Sequence, residues 1–499
     1  MSKGAWRHVL ALTAVLLLLG GCASTESYRD GGESGGTLPQ SPAIADNVGF
    51  WRNVYAVWGR GDVAIHDDEY LGAVYEVVEL PGEIFGGYTP SQQQLVQARK
   101  AHYQWRLQAL ESKIASGRSL SREERALQDK LVAAGGRAAI RGASDRVRAQ
   151  RGLRERFRRG LEISGRYETV FRDIMRNHGV PEDIAYLPHV ESSYQLNARS
   201  AVGAAGVWQF MPATGREYMM VTSAVDERLD PVVAADAAAR YLAGAYRRLG
   251  SWPLAITSYN HGVGGMEKAR ALYGDDIGTI VRHYKGKAFG FSSRNFYASF
   301  LAARDVASHP ERYFPDGLRP YQPMNEDRLV LRDRLLAADV AEHYGLSVER
   351  LSALNLAWRP PVQSGKAALP VGSTVWLPEG SLARVAGQPR PRPVLVAQTA
   401  PKPSAAPKPT VVTQPAAAVT KPKAIAAAAT EAAATPKVAA VSKPKTADPA
   451  VKHHVVKPNE TLYRVALQHE LSVDELRRLN RMAPHDNVIR PGQRLRVSG

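Results

Sequence analysis

At 499 residues the chain exceeds what one hydrophobic core usually supports, and 44% apolar residues suffice for several packed domains. Its formal charge of +17 is unevenly placed: nine Arg against Asp145 and Glu155 between 137 and 159, and ten Lys/Arg against Glu431 and Asp448 between 388 and 452, carry 15 of those 17 charges. The nearly neutral remainder argues against a folded nucleic-acid-reading surface, and a single cysteine, Cys22, excludes intramolecular disulfides, thiolate zinc sites and iron–sulfur clusters.

Residues 1–21 read as a signal peptide. Lys3 and Arg7 precede an apolar run from Val9 to Leu19, broken only by Thr13, and this run is shorter than the roughly 20 residues a membrane span needs. Leu19-Gly20-Gly21-Cys22 resembles a bacterial lipobox, which implies that Cys22 is acylated and anchors the chain to a membrane. Ala23, not Asp, follows the cysteine; by the same resemblance this implies the periplasmic face of an outer membrane.

Residues 22–45 are Gly/Ser-rich and expected to be a flexible tether. Residues 46–160 are expected to be a helical region, with bulky apolar residues at helical spacing from Asn47 to Trp58 and a second helix from Gln92 to Leu110. Arginines recur too densely from Arg137 to Arg159 for a core face, so that stretch reads as a solvated helix, the alternative being contact with an anionic polymer or lipid headgroups.

From 161 to 310 the pattern is helical throughout, so this domain is mainly α. Pro181-Glu182-Asp183 and Asp230-Pro231 read as helix starts, the latter opening a helix that ends at Gly250. Shorter helices are expected at Pro253–Tyr259, Gly265–Tyr273 and Ser293–Ala307. Residues 388–451 are Pro/Ala/Lys-rich without an apolar face and are expected to be a disordered linker, reaching at most roughly 200 Å. A short module closes the chain at 453–499, its apolar positions Val455, Leu462, Val465, Leu476, Leu479, Ile489, Leu495 and Val497 fitting a strand, two helices and a strand.

The chemistry concentrates in residues 187–218 and 258–262. Glu191 lies among Leu187, Val190 and Tyr194; a carboxyl in apolar surroundings resists ionisation and can serve as a general acid near neutral pH. The following loop carries Gly203, Gly206, Trp208 and Gln209, small residues with one aromatic ring and one amide suited to a sugar, and Ser258-Tyr259-Asn260 adds a phenol and an amide at a helix end. Asp226, Glu227 and Asp230 are the candidates for a second carboxylate; their simplest roles are a helix cap for Asp230 and solvated loop charges for the other two. His178, His189 and His261 lack metal-ligand spacing and no HExxH occurs, so neither a metal nor a cofactor is expected.

Glu191-Ser192, Gly206-Val207-Trp208-Gln209 and Tyr259-Asn260 stand in the order and spacing of the ES, GLMQ and AYN motifs. On these residues the segment from about Tyr167 to His309 resembles the catalytic domain of lytic transglycosylases of the soluble type, which implies a lysozyme-like fold. The resemblance further implies that Glu191 is catalytic and that Ser192, Gly206, Trp208, Gln209, Tyr259 and Asn260 form the site for the substrate, peptidoglycan glycan strands, Ser192 and Tyr259 by positioning Glu191 and Gln209 and Asn260 by hydrogen-bonding sugar amides or hydroxyls. Cleavage of the bond between N-acetylmuramic acid and N-acetylglucosamine would leave a 1,6-anhydro end and require one carboxylate where an ordinary glycosidase uses two. A fourth family motif, Glu-Thr followed by Tyr-Val, is replaced by Ser292-Ser293-Arg294-Asn295-Phe296-Tyr297, with Tyr297 as a substitute for the missing polar partner. The closing module resembles LysM, a βααβ unit that grips N-acetylglucosamine, and residues 327–380 resemble a divergent copy in which Asn355 stands where the last module has Asn480. Two other readings remain: a goose-type lysozyme hydrolase on the same fold, and a non-catalytic peptidoglycan-binding scaffold.

Overall fold

A computed structural model describes residues 38–389 and 391 and, near the C-terminus, 453–456, 465, 469, 471, 473–482, 489–490 and 492–497. They form two compact units, one within residues 1–430 and one within 431–499. The expected signal peptide, Cys22, residues 22–37 of the tether and nearly all of the linker lie outside the described residues. The protein is multidomain and helix-rich, and among the described residues no helix is long and apolar enough to cross a membrane.

The last residues assigned to the tether are packed. Leu38 and Ile44 are buried, Pro42–Ile44 form a 3-10 turn, and the Tyr297 hydroxyl donates to the Pro39 carbonyl at 2.9 Å. Helix α1 (Ala45–Arg52) continues into a π-helical turn at Asn53–Val57. Contrary to a purely helical reading of 46–160, a three-stranded antiparallel sheet follows, β1 (Asp62–Asp67) lying between β2 (Val74–Glu79) and β3 (Val147–Arg151). β1 is buried on both faces, Val63 and Ile65 in one core and Ala64 in another, so it lacks the polar/apolar alternation that marks a half-buried strand. Helices α2 (Pro90–Ala115) and α3 (Arg122–Gly135) start with reciprocal capping boxes, Thr89 with Gln92 and Ser121 with Glu124, and pack on the core of Val63 and Ile65.

The arginine-rich stretch is not a solvated helix. It runs through two 3-10 turns and β3 into α4 (Arg154–Ser164), and its cations are largely committed. Arg146 pairs at 2.9 Å with Asp67, which has no exposed surface, and Arg148 pairs with Asp68 at 3.2 Å. Arg151 donates to the Arg60 carbonyl, Arg158 pairs with Asp316, and Arg159 with Glu162.

The central domain stacks α5 (Glu168–Asn177), α6 (Leu187–Glu191), α7 (Pro212–Tyr218), α8 (Pro231–Leu249), α9 (Trp252–His261), α10 (Val263–Tyr273), α11 (Ile277–His283) and α12 (Phe291–Ser308). Asp230 caps α8 by accepting from the Val232 and Val233 amides, and Gly250 ends it in the left-handed conformation. Six buried alanines on α8, Ala234, Ala235, Ala237–Ala239 and Ala245, let neighbouring backbones approach closely, and α9 is buried from Trp252 to Asn260.

Within residues 327–377 the order is strand, two helices, strand: Asp327–Val330, Ala337–His343, Val348–Leu354 and Thr374–Leu377, with a short helix at Pro360–Gln363 before the last strand. This module is fastened to the central domain and shares a core with its Ala224 and Val225. Trp376 Nε1 donates to Asp230 at 2.7 Å, Arg359 to Asp226 at 2.9 Å, and the Asp226 amide to the Ala357 carbonyl. In the C-terminal unit, strands His453–Val455 and Arg494–Arg496 pair antiparallel and a helix spans Val473–Leu479. Val455 is 54% exposed; the buried residues here are His454 within the first strand and Val456 just after it. Asn355 and Asn480 do the same work in the two modules: each side chain donates to a helix carbonyl and a closing-strand carbonyl and accepts from a closing-strand amide.

Candidate active site around Glu191

Glu191 is the last residue of α6, and the chain behind it is forced into an uncommon path. Ser193 and Tyr194 both adopt positive φ, 51° and 55°, which non-glycine residues avoid. Three contacts hold this turn: the Tyr194 hydroxyl donates to Ala185 O at 2.7 Å, the Ser192 hydroxyl to Val207 O at 2.9 Å, and Arg156 Nη2 to Ser192 O at 3.1 Å. Such strain persists where the surroundings over-determine it, commonly at functional sites.

The Gly206–Gln209 loop is equally constrained. Gly206 sits at φ 77°, and a Cβ there would lie 1.7 Å from the Arg228 carbonyl, so no other residue fits. Gln209 has φ 50°, and its amide donates to Gly206 O at 2.7 Å and Ala198 O at 3.3 Å. Successive carbonyls of this loop accept from the other motifs: Val207 O from Ser192, and Trp208 O from the Tyr259 hydroxyl at 2.8 Å. Asn260 accepts from the Ser293 hydroxyl at 2.7 Å. The three motifs and the late helix α12 are therefore tied into one hydrogen-bonded assembly behind Glu191.

This arrangement corrects one expected substrate contact. Trp208 is fully buried with its ring 5.3 Å from Phe171, so it belongs to the core and presents no face to a sugar. Gly206 acts through backbone approach, and the named side-chain bonds of Ser192, Gln209, Tyr259 and Asn260 go to neighbouring protein atoms. Tyr297 points away from this assembly, to Pro39; the polar partner that α12 contributes is Ser293. Asp226 and Glu227 are buried, not solvated, and Asp226 sits between Arg228 at 2.8 Å and Arg359 at 2.9 Å.

Glu191, partly exposed, opens into a pocket whose wall includes Trp51, Tyr55, Arg156, Phe291 and Phe296. Among the described residues it is the one carboxylate lining that pocket, and neither a cation nor a hydrogen-bond donor pairs with its side chain. Burial alone therefore acts on it and raises its pKa from 4.5 to about 8, leaving the carboxyl protonated at neutral pH. Tyr259 and Tyr55 stay neutral phenols, their pKa values raised mainly by burial and further by the charge Glu191 can carry. Asp226 contrasts with this: burial pushes its pKa up, but Arg228, Arg359 and Arg199 outweigh that and hold it below the usual range. Among the described residues no group of three or more His, Cys, Asp or Glu could hold a metal ion.

Tyr55 and Arg156, which no motif marks, reach this pocket from outside the helical domain. The arginine-rich run was the available signal for Arg156; Tyr55 had only the aromatic spacing of residues 47–58.

Residues 169–278 match the Transglycosylase SLT domain and residues 454–498 match the LysM domain. The chain is similar to the membrane-bound lytic murein transglycosylase D of Escherichia coli, 29% identical over 194 residues, covering 36% of this chain. The match spans 40% of that relative's length. A putative tributyltin chloride resistance protein from an Alteromonas species is 28% identical over 143 residues, 28% of this chain and 68% of that protein. Of solved structures, the 70 kDa soluble lytic transglycosylase of Escherichia coli aligns at 18% identity and a TM-score of 0.26, covering 47% of this chain and 32% of that one. An inactive variant of lytic transglycosylase Slt from Pseudomonas aeruginosa aligns at 20% identity and a TM-score of 0.23, covering 31% and 24%.

Proposed function

We propose that this protein is a peptidoglycan lytic transglycosylase that cleaves the β-1,4 bond between N-acetylmuramic acid and N-acetylglucosamine without water. The observation carrying this reading is the unpartnered, desolvated carboxyl of Glu191 in a pocket where, among the described residues, it is the one carboxylate. Glu191 gives its proton to the glycosidic oxygen as the bond breaks. The acetamido oxygen of the muramic acid supports the developing positive charge. Glu191, now ionised, takes the proton of that sugar's 6-hydroxyl, whose oxygen closes the 1,6-anhydro ring, and is thereby reset. Ser192, Gly206, Gln209, Tyr259 and Asn260 serve this chemistry by fixing the turn that presents Glu191, and the residues facing the sugar come from the pocket wall.

The C-terminal LysM domain grips the same polymer, and the linker raises its local concentration near substrate. The docked module at 327–377 serves packing, since Trp376 is spent on Asp230 and Arg359 on Asp226. Acylation of Cys22 holds the enzyme on the periplasmic face of the outer membrane. The test is digestion of purified sacculi with mass analysis of the products: ends lighter by one water than a reducing sugar support the reading, and hydrated ends contradict it.

A further inference from the structure

Two phenols sense the charge Glu191 can carry, and they are held differently. The Tyr259 hydroxyl donates to the Trp208 carbonyl at 2.8 Å, a backbone acceptor that ties up its hydrogen. Tyr55 comes from the π-helical turn at Asn53–Val57, outside the matched catalytic segment, and lines the pocket with Glu191. Such turns recur at functional sites. A stack fixes its ring: Tyr55 lies on Phe157 at 4.8 Å, and Phe157 lies at 4.8 Å on His189, which shares α6 with Glu191. Its hydroxyl is held more loosely. Besides Glu191, the side chain acting on it is Ser299, which gives its own hydrogen to the Phe296 carbonyl at 2.8 Å. Ser299 therefore serves Tyr55 as an acceptor, and rotation about one C–O bond frees the Tyr55 hydrogen for another oxygen.

The proposed reaction creates a demand for that hydrogen. After giving up its proton, Glu191 is a carboxylate in a desolvated pocket, and among the described residues neither a cation nor a donor is paired with it. The other titratable groups on the wall are Arg156, which donates to the Ser192 carbonyl, and His189, which burial keeps uncharged with a pKa lowered to about 3. We propose that Tyr55 is a positioning residue of this reaction: its hydroxyl turns from Ser299 to the Glu191 carboxylate after the first proton transfer and turns back once the acid is reset. This rests on the function proposed above and deepens it. No proton leaves Tyr55. A hydrogen bond to a carboxylate is stronger than one to a hydroxyl, so the turn stabilises the ionised acid and leaves the resting acid untouched. The N-terminal region then completes a cleft whose acid comes from the catalytic helices.

The test uses full-length Tyr55→Phe, which keeps the ring and its stack. Infrared titration of the Glu191 carboxyl, isolated by subtracting the matching Glu191→Gln spectra, needs no substrate. A carboxylate without its donor is harder to form, so the midpoint in Tyr55→Phe should lie about one to two pH units above the wild type. On sacculi kcat should fall about 10- to 100-fold with KM little changed. Ser299→Ala removes the resting acceptor but not the donor, and its midpoint should stay at or below the wild-type value. An unshifted midpoint in Tyr55→Phe would overturn the proposal, whatever happens to turnover. A midpoint raised equally by Ser299→Ala would overturn it too, because Tyr55 would then act only through its contact with Ser299. The shift does not depend on the reaction class. Hydrated product ends with the shift present would leave the role of Tyr55 standing and reject the transglycosylase; anhydro ends without the shift would do the opposite.

Discussion

Two neighbourhoods of the first compact unit bury carboxylates and treat them oppositely. Around Asp226 and Asp230 every oxygen is answered: Asp226 by Arg228 and Arg359, Asp230 by two helix amides and the Trp376 indole. Around Glu191 nothing answers. Burial raises its pKa, and no cation or donor among the described residues draws it back. Burial is thus not what separates Glu191 from Asp226; the partner set is. The first neighbourhood joins the central domain to its docked βααβ module, and the second keeps a proton available at a pocket.

The comparison breaks first at Glu191. Glu191→Gln should lower turnover on sacculi by roughly 100- to 10,000-fold, the range of a lost general acid, while leaving binding of sacculi intact. The same variant sharpens the thermodynamic side. A carboxyl whose pKa rises from 4.5 to about 8 on folding favours the native state fully below pH 4.5 and loses that contribution as pH climbs to about 8. Wild type and variant should therefore be closest in stability near pH 4, and the variant should be more stable at pH 9 by roughly 1–3 kcal/mol after allowance for solvent at the pocket mouth. Urea unfolding at the two pH values checks this.

Asp226→Ala should do the reverse. It leaves Arg228 buried and unpaired and costs about 3–5 kcal/mol, read as a lower urea midpoint. Gly206→Ala attacks the assembly behind Glu191, where both the positive φ and the Arg228 carbonyl oppose a side chain; about 1–3 kcal/mol of stability should be lost, with activity falling alongside. Tyr259→Phe is the mildest. Losing one hydrogen bond to Trp208 O should cost about 1 kcal/mol in thermal or urea unfolding and reduce turnover far less than Glu191→Gln does.

What the sequence made legible was local. Asp230-Pro231 and Gly250 mark the ends of α8 because capping is decided within a few residues, and Glu191 stood out because its apolar neighbours are adjacent in the chain. What stayed hidden depends on contacts between distant segments. Asp226 looked like a solvated loop charge because the docked module that covers it, with Arg359, lies 133 positions away, although its nearer partner Arg228 is only two residues on. β1 escaped notice because burial on both faces erases its alternation. Trp208 shows a subtler failure: an aromatic ring within a substrate-binding motif fits a sugar platform and a core anchor equally well, and its packing on Phe171 makes it the second. The Glu191 pocket needed both kinds of information, its acid coming from the motif and part of its wall from Trp51, Tyr55 and Arg156.

The protonation state of Glu191 can be observed without substrate. Difference infrared spectroscopy of wild type against Glu191→Gln, titrated from pH 4 to pH 10, isolates this one carboxyl. A protonated carboxylic acid band should persist through pH 7 and convert to carboxylate near pH 8. A carboxylate band already complete at pH 6 would contradict it.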